Sequence, residues 1–186
     1  MRFVLTLFLT ILAATSVSAI TLDELQGVTI HTVNTYSGSF RNDFGTAPGR
    51  FEARTQATIG PGSAIKVTAT RNTWIETPKG VKTGRLNRSN SGLIGTPQQA
   101  SDRSGNFLWV LDGDTLVRLR TFETGGSLLK ITIVKSAGGF TCTAQAPILQ
   151  ETGAGNTKDT AAMAGGGKAE ILSVKQTGSS CRISKK

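Results

Sequence analysis

Side chains able to do covalent or metal chemistry are few here: two cysteines, one histidine and 12 carboxylates in 186 residues. The lone imidazole, His31, sits between Ile30 and Thr32 in alternating apolar and polar text, with no cysteine or acidic cluster beside it. A histidine so placed is expected to be a packed or exposed strand residue, because a general base needs a substrate proton within hydrogen-bond reach. A Ser-His-Asp triad assembles in space and is not excluded by spacing. Yet no Gly-x-Ser-x-Gly elbow nominates a nucleophile, and no His-Glu-x-x-His or phosphate-binding glycine signature occurs. Asp112 and Asp114 flank Gly113. Glycosidases need carboxyls facing each other across a cleft, so turn formation explains this pair better. Calcium would need more oxygen ligands than this loop supplies.

The two sulfurs carry a firmer expectation. Cys142 and Cys181 are expected to form one disulfide, as two cysteines in an exported chain most simply do. A zinc site would need four ligands, and the single distant histidine cannot complete the set without carboxylates. No metal and no cofactor is therefore expected.

Cations form two groups that could bind. Lys79, Lys82, Arg85 and Arg88 lie in a run with no acidic residue between Glu76 and Asp102. They would suit an anionic partner, although a solvated loop kept basic for solubility is the simpler reading. Arg118 and Arg120 alternate with Val117 and Leu119, so both share a sheet face with Leu116 and Phe122. In a barrel that face lines the lumen, where arginine pairs well with a carboxylate. In an open sheet it faces solvent, and the solvent face is the expectation adopted. Trp74 and Trp109 read as core or rim residues. Without interleaved aromatics the basic run predicts no specific nucleic-acid binding. Asn87-Arg88-Ser89 is a glycosylation acceptor in a eukaryotic secretory pathway only.

Short strands must position these groups. Val28–Tyr36 places Val28, Ile30 and Thr32 on one face, and residues 51–59 place Phe51, Ala53, Thr55, Ala57 and Ile59 together. Gly60-Pro61-Gly62 separates the latter from 64–70, which predicts a hairpin. Ser37–Gly49 reads as turn-rich, and Thr73–Gly105 as an irregular surface excursion. Phe107–Leu111 and Thr115–Phe122 flank Asp-Gly, a hairpin signal of type I′. Further strands are expected at 128–134, 140–144, 168–175 and 180–183, with 147–164 a loop or a brief helix near Lys158–Met163. The fold expected is all-β, with eight or nine strands in an antiparallel up-and-down barrel of lipocalin-like size or a sandwich, closed by one disulfide.

Residues 1–19 predict a signal peptide: Arg2, an apolar run from Phe3 to Ala14, then Val17 and Ala19 in the small positions before cleavage. The run is shorter than the ~20 apolar residues of a spanning helix. A mature chain from Ile20 to Lys186 would be a single, soluble β domain with no transmembrane segment. It would hold 20 Lys+Arg against 12 Asp+Glu, a balance favouring anionic neighbours. Trp109–Phe122, Gly125-Gly126, Lys130–Ile133 and Thr141–Ala144, with Gln150–Gly153 and Ile171–Gln176 before Ser180-Cys181, resemble uncharacterised small exported proteins of soil alphaproteobacteria. The resemblance covers mainly the C-terminal half and implies a β-rich periplasmic or secreted protein with paired late cysteines. It implies no activity. The expected function is non-enzymatic binding of a small anionic ligand or an envelope component such as polysaccharide. The alternative is an inhibitor or interaction protein that meets a secreted enzyme through the basic loop 73–105.

Overall fold

The structure is a computed structural model that describes residues 19–102, 107–122, 125–150, 160–162 and 168–185. The segment before Ala19, where a signal peptide is predicted, and the glycines at 153–155 and 165–167 lie outside them. Eleven strands carry the fold: β1 (Val28–Asn42), β2 (Gly45–Ile59), β3 (Ala64–Thr77), β4 (Gly80–Gly95), β5 (Phe107–Asp112), β6 (Thr115–Phe122), β7 (Gly125–Ser136), β8 (Gly139–Gln145), β9 (Ile148–Gln150), β10 (Thr160–Ala162) and β11 (Lys168–Lys185). One short helix, α1 (Pro97–Ser101), follows β4 with a Thr96–Gln99 capping box.

The strands form one sheet in the order β10-β11-β1-β2-β3-β4-β5-β6-β7-β8, with β9 paired to β7. The last long strand returns to the first, so β11 runs antiparallel to β1 from Val28↔Lys185 to Arg41↔Glu170. Nine strands, β11 and β1 to β8, thus curl into a nearly closed barrel. Side chains hold β8 to β11. Cys142 and Cys181 are bridged, the Ser179 hydroxyl donates to the Ala144 carbonyl at 2.6 Å, and the Ala146 N–H donates to Gln176 Oε1 at 3.1 Å. The fold class is as expected, with the barrel chosen over the sandwich.

Alternation sends one face of each strand inward. Two apolar clusters fill the interior. One gathers Leu25, Val28, Ile30, Ile59, Ile65, Trp109, Leu116 and Ile131; the other gathers Tyr36, Phe40, Phe51, Ile75 and Ile171. The first end is stoppered by residues 20–27. Ile20 and Leu25 are buried there, Gly27 N–H donates to the Ile59 carbonyl at 2.9 Å, and Glu24 pairs with Lys135. That ammonium holds the Glu24 carboxyl down to about 2, with the Thr21 backbone N–H assisting.

Four expectations are corrected. Ser37–Gly49 is not a turn region: β1 runs on to Asn42 and β2 starts at Gly45, because both stay paired to neighbours. At Gly38 a Cβ would fall on the Ser173 carbonyl, so glycine here permits close strand approach. Nor is Thr73–Gly105 a loop; β4 pairs with β3 from Thr77↔Gly80 to Ala64↔Leu93 despite its Gly, Ser and Asn content. The strands are not all antiparallel either. The α1 crossover lets β5 lie parallel to β4 at Leu93↔Phe107 and Ile94↔Trp109. Finally, the β5–β6 turn centres on Gly113-Asp114, and only Gly113 has positive φ, 60°. Glycine first is the type II′ requirement rather than the I′ one. In 147–164 the described residues after Pro147 are strand, β9 and β10; Lys158, Asp159 and Met163 lie outside the description.

Candidate functional site

Two apolar clusters leave a polar belt between them, and a pocket opens from it. Its cavity volume is about 120 Å³. Its wall is assembled from six strands, β7 among them: Asn34 and Tyr36 of β1, Phe51, Ala53 and Thr55 of β2, Ala69 and Arg71 of β3, Leu86 and Arg88 of β4, and Arg118 of β6. Leu128, Leu129 and Ala146 complete the apolar side. Three guanidinium groups therefore share one pocket with aromatic and aliphatic neighbours, and no carboxylate belongs to the described lining.

Pairing explains why the wall opens here. β5 is short, and it meets β4 only at Leu93–Gly95 and β6 only at Thr115–Val117. Below it β4 and β6 part. Among the described residues, no strand pairs with β4 between Gly80 and Gly92 on the side away from β3. Nor does any pair with β6 beyond Val117 on the side away from β7. Leu86 and Arg88 stand on one lip of this notch and Arg118 on the other.

Several contacts set the pocket wall in place. Tyr36 stacks on Phe51, with ring centroids 4.3 Å apart, and donates its hydroxyl to the Ala146 carbonyl at 2.6 Å. Burial pushes its phenol up to about 12, so Tyr36 is a neutral donor at ordinary pH. Arg71 lies over the Phe51 ring at 4.9 Å, a cation–π contact that holds its planar fork in one orientation. Buried Asn34 accepts from Gln176 at 3.2 Å and from the Ser179 hydroxyl at 2.8 Å. The side chains that seal β8 to β11 thus also support the pocket.

The expected site residues separate. Arg118 does not face solvent: its face also carries Leu116, which is fully buried, because sheet closure turns that face into the lumen. Arg120 follows two residues on, and its side chain lies outside the described residues. The basic run divides between the two faces of β4 and the barrel rim. Arg88 joins the pocket, Arg85 is exposed on the outer face, and Lys79 and Lys82 sit at the barrel rim, 5.9 and 4.6 Å from the Phe44 ring. Cys142 and Cys181 form the expected bridge. Arg71, Tyr36 and Asn34 escaped the sequence reading. For Arg71 the signal was present, since Ile65, Val67, Ala69, Arg71, Thr73 and Ile75 are one alternating face.

Catalytic groupings do not assemble among the described residues. His31 lies on the outer side of β1, 3.5 Å from the Ser184 hydroxyl, in a second cavity of about 280 Å³ with Arg54 and Arg182. Asp112 and Asp114 are exposed at their hairpin tip, where Asp114 accepts from the Thr115 hydroxyl at 2.8 Å. No set of three His, Cys, Asp or Glu side chains comes together among the described residues. Trp109 is buried in the core, while Trp74 carries the Arg50 guanidinium 4.8 Å over its ring. No described helix is long and apolar enough to cross a membrane. No known protein family, curated protein or solved structure matches this chain.

Proposed function

We propose that this protein is exported and that its barrel binds a small organic anion, without transforming it, in the pocket between β4 and β6. The observation that carries the reading is the meeting of Arg71, Arg88 and Arg118 on one partly apolar wall. A unit charge ~4 Å from a guanidinium gains roughly 4 kcal/mol at an effective dielectric of about 20, before desolvation is subtracted. Even a small remainder discriminates, since about 1.4 kcal/mol is tenfold in affinity. Phe51, Leu86, Leu128 and Leu129 suit an apolar body behind the charged group. A cavity of about 120 Å³ suits a small carboxylate, phosphate or sulfonate better than a polysaccharide. The disulfide fits an oxidising compartment such as the periplasm or the exterior.

Chemical-shift titration with hexanoate and with 1-hexanol tests this directly. Hexanoate should bind at least about tenfold tighter, with shifts centred on the pocket strands, and Arg71→Gln with Arg118→Gln should erase the preference. Equal affinity for acid and alcohol, or shifts scattered away from the pocket, would overturn the reading.

A further inference from the structure

We infer that the edge of β4 facing the notch receives an extended acidic segment of a partner protein as an added strand. Beyond the rungs with β5, the described ladder of the backbone from Gly80 to Gly92 is with β3, and β10 lies close to both strands without a described ladder to either. An unpaired strand of that length presents a row of N–H and C=O groups that another chain can complete. Its side chains alternate: Thr83, Arg85 and Asn87 are exposed on the outer face, while Lys82, Gly84 and Leu86 are half-buried on the inner one.

Charge selects the occupant. Lys79, Lys82, Arg85 and Arg88 lie on or next to this edge, with no acidic residue between Glu76 and Asp102. Like charges opposed across a new pairing are destabilising, so a second copy would set these cations against themselves. Basic residues on an edge guard against self-association in this way. An acidic strand turns the same repulsion into attraction, with its outer side chains beside Arg85 and its inner ones toward Leu86 and Arg88. The partner is thus an extended segment that alternates acidic and small apolar residues. An added strand would lie across the notch, so its docking and an anion in the pocket exclude each other at Leu86 and Arg88.

The test uses the whole mature protein and a capped peptide of about eight residues that alternates glutamate and valine. Amide hydrogen exchange should show new protection between Gly80 and Gly92. Two further peptides, N-methylated at odd or at even positions, should differ: one loses binding at least about tenfold and the other keeps it, because only alternate N–H groups face the edge. Arg85→Glu and Lys79→Glu, both at exposed positions, should weaken the acidic peptide and favour one with lysine for glutamate. No saturable binding, unchanged exchange in β4, or equal binding by both methylated peptides would overturn the inference.

Discussion

The barrel wall is interrupted twice, and the two interruptions are built differently. At β8/β11 the strands face each other without a described backbone ladder, yet a disulfide, Ser179 and Gln176 bind them together. At β4/β6 the strands part, and arginines and leucines line the opening. Both gaps break a sheet that closure would otherwise complete. One is sealed by a covalent link that closes 39 residues of sequence separation. The other gathers three arginines, of which Arg71 lies over the Phe51 ring. A seam that must hold is cross-linked, whereas a gap left open and charged is the better place to look for a ligand.

Breaking the seam should have the largest effect. Cys142→Ser with Cys181→Ser removes a loop closure worth about 4 kcal/mol from chain entropy alone, and denaturant unfolding should register a loss of that order. Ligand affinity should fall as well, because Asn34 and Ala146 are held by seam partners. The notch should behave in the opposite way. Arg71→Gln with Arg118→Gln should lower anion affinity by about ten- to a hundredfold, while costing less stability than loss of the disulfide. Equal losses of stability and affinity in both variants would erase the distinction.

Tyr36 joins the two regions, and its effect should be intermediate. Tyr36→Phe deprives the Ala146 carbonyl of its donor and should cost roughly 1–2 kcal/mol. The phenol is held near 12 when folded and ordinarily titrates near 10. Above pH 10 the unfolded chain releases this proton first, so wild-type stability should fall as pH rises from about 10 to 12. Tyr36→Phe should flatten that limb in pH-dependent unfolding. Glu24 should give the smallest change, since its pair with Lys135 is at the surface. Its carboxyl is held near 2 instead of 4.5, so its stabilising contribution is present above pH 4.5 and is lost as pH falls toward 2. Glu24→Gln should remove that acid-side slope, with a modest loss of stability above pH 5 and little change near pH 2.

Much of the fold was legible because alternation reports burial directly. The faces of 28–32 and 51–59 point inward as read, and the cysteines meet where their strands close the barrel. What failed was strand length. Gly84, Asn87, Ser89, Asn90 and Ser91 have low strand propensity, yet β3 holds each of them in register. Local text cannot show that help, so β4 looked like a loop. The same holds for Ser37–Gly49, supported from both sides by β2 and β11. The site was half legible. Arg118 and Arg88 stood out by charge, but their meeting with Arg71 depends on the β3–β4 register and on closure, both nonlocal. Arg85 shows the limit of charge counting, since three residues along a strand reverse the face.

The central claim is that the notch binds an anion through its arginines. Native mass spectrometry of the protein from its own exported fraction, beside Arg71→Gln with Arg118→Gln, tests it most directly. We predict a chain from Ile20, two hydrogens light for the disulfide, with a reproducible small anionic adduct that the variant lacks. A bare wild-type chain, or an adduct the variant retains equally, would contradict the account.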